Sequence, residues 1–274
     1  MNSLAQIEFY FPNIHRKSSV GFVNNILRDM RERGSISRAG YADEKSLRNG
    51  LLRYIGSGST HGYRTISDTE KKNIGKIILR TIEKCNKTLK IPVKNFIFVY
   101  PYFPSREDNI FEGVMAVAAY SCVFHVFIDF HSYTLRSLEN TIAHELNHTI
   151  YYYHHYDNFN NYTLLEEIII EGLAENFREQ LFDHRPTPWA VALSRQKAID
   201  ILANSEDILD SHDPATIKNF LLGGKKYKKW TGYSIGYWIT KTFIEDSRLS
   251  WNKIMKIPPE IFLEFFRQKR KEGK

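Results

Sequence analysis

NFIFVYPYF (95–103), GVMAVAAY (113–120) and CVFHVFID (122–129) are short runs rich in β-branched and aromatic residues, bounded by Pro and Gly. They read as strands of a small sheet. The pattern then changes. In LRSLENTIAHELNHTIYYYH (135–154) the apolar residues recur at helical spacing. Upstream, LAQIEFYF (4–11) reads as a further strand, and 19–31 and 42–54 as helices, with Gly-rich turns between and after them at Gly34, Gly40 and Gly56-Ser-Gly58-Ser. Ser67 and Glu70 have the spacing of a capping box. They open a helix to about Leu89 whose buried stripe is Ile74, Ile77, Ile78 and Ile82. Downstream, helices are expected at about 164–182, 188–204, 213–222, 233–246 and 259–271. The fold class is therefore α+β, a small β-sheet followed by a predominantly helical C-terminal half. The expected organisation is a mostly helical region over 1–92 and a domain over 93–274 that carries the sheet and the helices of the site.

Composition sets the outer bounds. For 274 residues and 32.1 kDa, area scaling gives roughly 12,000 Å² folded against about 46,000 Å² extended, so a large core needs no staple. Hydrophobic residues make up 42% and charged residues 25%, the balance of a globular chain and not of a disordered one. No apolar run is long enough to suggest a membrane span. The N-terminus lacks a basic segment followed by an apolar one, so no secretory signal is expected. Two cysteines, Cys85 and Cys122, suit buried thiols in a reducing cytoplasm. The net charge of +7 is concentrated in Lys225, Lys226, Lys228 and Lys229 and in the tail Arg267, Lys269, Arg270, Lys271 and Lys274. Neither run carries a nucleic-acid readout motif, so no specific nucleic-acid binding is expected, and both read as solvated surface.

The chemistry lies in His144-Glu145-Leu146-Asn147-His148. A spacing of four puts the two imidazoles one turn apart on one helix face, where both can reach one Zn²⁺. Glu145 sits about 100° further round, placed to take a proton from a metal-activated water as general base without being a ligand. A third ligand is available downstream. Thr163 and Glu166 form a second capping box, opening a helix that contains Glu171-Gly172-Leu173-Ala174-Glu175. The polar loop from His154 to Tyr162 would let the two helices fold back, with Gly172 and Ala174 allowing close approach. Glu171 is the preferred ligand because Glu175, one turn on, can then orient His144 or His148 through its other ring N–H. Glu167 is the competing ligand, with Glu171 moving to the orienting role. The alternative for all four carboxylates is a solvated acidic face.

The stretches Thr141-Ile-Ala-His144-Glu145-Leu-Asn-His148, Ile170-Glu171-Gly172-Leu173-Ala174-Glu175-Asn-Phe177 and Gly232-Tyr233-Ser-Ile-Gly236-Tyr237 resemble an uncharacterised bacterial domain family described as predicted zinc-dependent proteases. More broadly they resemble the gluzincins, metallopeptidases with two His and one Glu on zinc. The resemblance covers roughly 95–247. It implies a thermolysin-like zincin core and makes Tyr233 the first choice, and Tyr237 the second, for the group that stabilises the oxyanion.

Other histidines read more plainly: His125 as a core residue, His131 as loop structure, His154 and His155 as helix-end residues, and His212 as the neighbour of a helix cap. Residues 113–120 are a candidate sheet edge to which a peptide could add as a strand. The leading function is a cytoplasmic zinc metallopeptidase acting on a peptide or protein substrate, with no indication of oligomeric state. The alternative is a non-catalytic zinc-binding structural or regulatory protein with a basic partner-binding surface. An intact Glu145 favours the enzyme, since a structural site needs no base.

Overall fold

The computed structural model describes residues 4–12, 19–55, 65–103, 111–155, 161–183 and 185–272. The expected turn at Gly56-Ser-Gly58-Ser, most of the loop from His154 to Tyr162, and Lys274 lie outside the described residues, as do the side chains of Arg270 and Lys271. The chain divides into two units, Met1–Thr149 and Ile150–Lys274. Its class is α+β, mostly helical, with one small mixed sheet.

The first unit is built on that sheet: β1 (Ala5–Phe9), β2 (Asn95–Pro101), β3 (Val114–Tyr120) and β4 (Val123–Ile128), in the order β1-β2-β4-β3. β1, β2 and β4 are parallel, with Phe9 opposite Val99 and Val99 opposite Val126. β3 returns antiparallel along β4 with a register shift between Ala118 and Tyr120, and it forms one edge. The residues of β4 are buried throughout, which is why the sequence there runs apolar without alternating. Between β1 and β2 come α1 (Ser19–Glu32), α2 (Glu44–Tyr54) and α3 (Asp68–Leu89). α3 opens on the expected capping box, with Ser67 accepting from the Glu70 amide and Glu70 reaching back to the Ser67 amide. One sheet face, with Phe98, Tyr100 and Phe127, packs into a core with Phe22, Ile26 and Met30 of α1 and Leu47 and Leu51 of α2. After β4 comes α4 (Leu135–His154).

His125 lies wholly inside this core, as expected. Its Nε2 donates to the Ala39 carbonyl at 2.8 Å, and its Nδ1 accepts from the Tyr100 hydroxyl at 3.0 Å. Its ring stacks on Phe98 and Tyr100. Burial penalises the imidazolium and lowers the pKa to about 4, while the bond to Ala39 opposes the shift.

The second unit is helical: α5 (Leu164–Arg178), α6 (Arg195–Ala203), α7 (Pro214–Leu222), α8 (Thr231–Ser247), α9 (Trp251–Ile254) and α10 (Pro259–Glu272). Thr163 and Glu166 form the expected capping box of α5. α5 ends at Arg178 and passes into a π-helical turn over Glu179–Asp183. The helix expected from 188 begins only at Arg195. Pro186 and Pro188 lack amide donors, and Ser194 supplies the cap by accepting from the Lys197 amide. The tail reads as solvated helix surface: Arg267 pairs with Glu206 and Lys269 with Asp246. The expected close approach at Gly172 is made to α8. A Cβ on Gly172 would lie 2.2 Å from the Gly236 carbonyl oxygen, and one on Gly236 would lie 2.0 Å from the Ile168 carbonyl oxygen. Asn176 seals the crossing, its amide nitrogen lying 3.0 Å from the Tyr237 carbonyl and 2.9 Å from the Thr240 hydroxyl.

Two measurements check these arguments. His125 has a folded pKa below its unfolded value, so its contribution to stability is present above about pH 6.5 and is lost as pH falls toward 4. The predicted loss over that window is about 3 kcal/mol for this group, and His125→Phe should flatten the acid limb of stability against pH whatever its absolute stability. Gly172→Ala and Gly236→Ala should each cost about 1–3 kcal/mol or more in chemical denaturation, because two backbones must move apart. A neutral result at both positions would show that the crossing is not set by backbone contact.

Candidate metal and catalytic site

α4 is started locally. Thr134 Oγ1 accepts from the Ser137 amide at 2.9 Å, and Ser137 Oγ accepts in return from the Thr134 amide at 2.9 Å. This is a capping box with Ser in place of Glu or Gln. The connection from β4 is fixed by Asp129. Its side chain accepts from the His131 amide at 3.0 Å and from the Ser132 hydroxyl, and its own amide donates to Gly113. His131 is thus loop structure, as expected. Further along, Thr149 Oγ1 lies 3.3 Å from Asn95 Oδ1, both fully buried. Asn95 shares a strand face with Ile97 and Val99, opposite the Phe98 and Tyr100 face. α4 therefore reaches that face at the start of β2. Leu138, Ile142, Ala143, Leu146, Ile150 and Tyr151 are all 0% exposed, so the helix is apolar on most sides.

Into this apolar helix the sequence inserts His144, Glu145 and His148. Glu145 is 7% exposed and His148 is 6% exposed, while His144 is half-buried. The imidazole centroids are 4.5 Å apart with ring planes at 89°. One ligand atom from each of His144, Glu145 and His148 falls within a 4.8 Å cluster. Among the described residues this is the one group of three His, Cys, Asp or Glu side chains close enough to share a metal ion. The two imidazole nitrogens are donors suited to Zn²⁺, and the carboxylate oxygen of Glu145 lies close beside them. Among the described residues His154 and His155 do not join such a group. The His155 ring stacks on Tyr151 at 4.1 Å and bonds the Met255 carbonyl.

The other expected residues lie in the second unit, on α5 and α8. Glu171 is half-buried on α5. One turn earlier, the Glu167 pKa is raised to about 7, by burial first and by the Glu171 charge second. Glu175 is 1% exposed. It accepts from Arg178 Nε at 3.0 Å, Thr187 Oγ1 at 2.7 Å and Trp189 Nε1 at 2.9 Å. Arg178 completes a buried ion pair with it. The reading from sequence gave no sign of Thr187 and Trp189, which approach Glu175 only through the loop before α6. Tyr233 is half-buried, with its ring edge-on to Trp230 at 5.4 Å. Tyr237 is 1% exposed and donates to Glu179 Oε2 at 2.8 Å, while Lys241 donates to the Tyr237 oxygen at 2.7 Å. His212 is exposed beside Asp213, which caps α7 by accepting from the Thr216 amide.

Over 151 residues the chain is 25% identical to the uncharacterized protein YjfC of Bacillus subtilis (strain 168), covering 48% of each chain. The chain thus spans about half the length of the curated relative it matches. No solved structure is a significant match. The model of a family described as predicted Zn-dependent protease matches residues 74–264, a span that holds the His144–His148 motif, α5 and α8. The chain belongs to that predicted Zn-dependent protease family.

Proposed function

We propose that this protein is a zinc metallopeptidase of the gluzincin type, a hydrolase of peptide bonds in a peptide or protein substrate. The observation that carries the reading is the convergence of His144, Glu145 and His148 on a helix that is otherwise apolar. Buried ionisable groups of this kind are found paired, hydrogen-bonded or coordinating a metal ion. His144 and His148 would hold Zn²⁺, with Glu171 as the third ligand and Glu167 as the alternative. When bound, the ion lowers the pKa of water and polarises a carbonyl.

The chain's own residues do the rest. Glu145 takes the proton of the attacking water and delivers it to the leaving amine. Tyr233, half-buried on α8, donates its hydroxyl to the developing oxyanion. It suits this better than Tyr237, whose hydroxyl is held between Glu179 and Lys241. Glu175 orients one zinc-binding imidazole through its ring N–H. The peptidase domain would be residues 93–274, with a thermolysin-like arrangement. β3, an edge of the sheet, would receive the substrate as an added strand. Among the described residues no helix is long and apolar enough to cross a membrane. The two free, buried thiols suit a cytoplasmic setting.

The ligand set is checked by zinc content per chain. His144→Ala, His148→Ala and Glu171→Ala should each lose zinc, and Glu167→Ala should retain it. Loss in Glu167→Ala with retention in Glu171→Ala would exchange the two roles. The base is checked separately. Glu145→Gln keeps size and removes basicity, so zinc and fold should survive while hydrolysis falls by about 10²–10⁴-fold or more. Hydrolysis near the parent rate would rule Glu145 out as the base. A zinc-loaded parent inert on a broad peptide library would favour the structural or regulatory reading.

A further inference from the structure

The segment from Gly223 to Trp230, between α7 and α8, has features that a plain connecting loop does not need. Lys225, Lys226, Lys228 and Lys229 are all exposed, and among the described residues none of them pairs with a carboxylate. The cations of α10 differ, since Arg267 and Lys269 each have an acidic partner.

The lysines are mounted on a fixed frame. Gly223 has φ +92, and a Cβ there would lie 2.5 Å from the Lys229 backbone, so the two ends of the loop touch. The Gly224 amide donates to the Tyr227 carbonyl at 3.0 Å. The Tyr227 ring packs edge-on to the fully buried Phe220 at 4.7 Å. Lys228 Nζ donates to the Ala192 carbonyl at 3.0 Å, tying the loop to the segment that carries Trp189. The Lys226 and Lys229 ammonium groups lie over the rings of Tyr227 and Trp230, each at 5.1 Å.

The loop ends in a strained residue. Trp230 has φ +68, a region that bulky side chains avoid and that persists where the surroundings enforce it. That conformation sets the Trp230 ring against Tyr233 at 5.4 Å and near Trp189 at 6.2 Å. A rigid set of unpaired cations and an aromatic wall thus adjoin the tyrosine assigned above to the oxyanion.

We infer that the Gly223–Trp230 loop is a substrate-selecting element that binds an acidic segment of the peptide substrate. Lys225, Lys226 and Lys229 engage its carboxylates, and Trp230 packs against its backbone. The inference rests on the peptidase reading for the identity of the ligand as a substrate. The geometry of the loop stands independently of it. Cations held in fixed positions raise the local concentration of an anionic ligand and do so less at high salt.

The test is a binding measurement on the zinc-loaded full chain, so it does not depend on turnover. A fluorescein-labelled Glu-rich peptide is compared with its Gln-for-Glu analogue by anisotropy, in the parent and in a Lys225→Gln/Lys226→Gln/Lys229→Gln variant of unchanged circular dichroism. The parent should prefer the acidic peptide by about tenfold or more at low salt. The preference should shrink in the variant and at about 300 mM salt. Equal affinity for both peptides, or a preference that survives the triple substitution, overturns the inference. So does a single-stranded oligonucleotide that binds the loop more tightly than the acidic peptide. Parallel cleavage assays separate the two readings. Hydrolysis with no acidic preference overturns the loop assignment and leaves the peptidase standing. Acidic preference without hydrolysis of any peptide upholds the binding element and removes the peptidase.

Discussion

An apolar helix that carries two imidazoles and a carboxylate is the constraint to which the first unit answers. A polar group taken out of water needs a partner, or it costs on the order of 2–7 kcal/mol, and α4 buries Glu145, His148, Asn147 and Thr149 together, each of them with a partner. The surrounding parts hold that helix in place: the Thr134–Ser137 box at its start, the Asp129 turn ahead of it, and the Thr149–Asn95 contact on the sheet. β2 and β4 in turn need cover on both faces, and α1 and α2 supply one of them.

The second unit solves a different problem. α5 carries a line of carboxylates, Glu166, Glu167, Glu171 and Glu175, on a helix whose remaining faces are buried. Burial first, and the like charge of Glu171 one turn on second, raise the Glu167 pKa. Glu175 escapes the conflict because Arg178, Thr187 and Trp189 all donate to it. The backbone-to-backbone crossing at Gly172 and Gly236 then sets the distance between α5 and α8. Small residues at this crossing serve geometry in the same way as Gly223 does beneath the lysine loop.

Much of this was legible in the chain itself. Among the described residues, strand and helix periods placed the four strands and the long helices to within a few residues, because side-chain periodicity is a local property. The boxes at Ser67–Glu70 and Thr163–Glu166 were readable for the same reason: both partners lie within one turn. The His144–Glu145–His148 cluster was legible because spacing along a helix fixes direction in space.

Tertiary structure decided what depends on distant partners. The partner of Gly172 proved to be Gly236, 64 positions away and invisible to any local pattern. The positive φ of Trp230 sits where Ser234 bonds the Trp189 and Trp230 carbonyls and Thr231 bonds Lys228, and no propensity announces it. The hydrogen bonds of Tyr100 and Ala39 to His125, and the burial that keeps it neutral, are likewise long-range. The sequence determined by itself the residue types, the faces they share and the chemistry they can perform. Folding chose which buried groups share hydrogen bonds and how closely two backbones approach, since both depend on contacts between segments far apart in the chain.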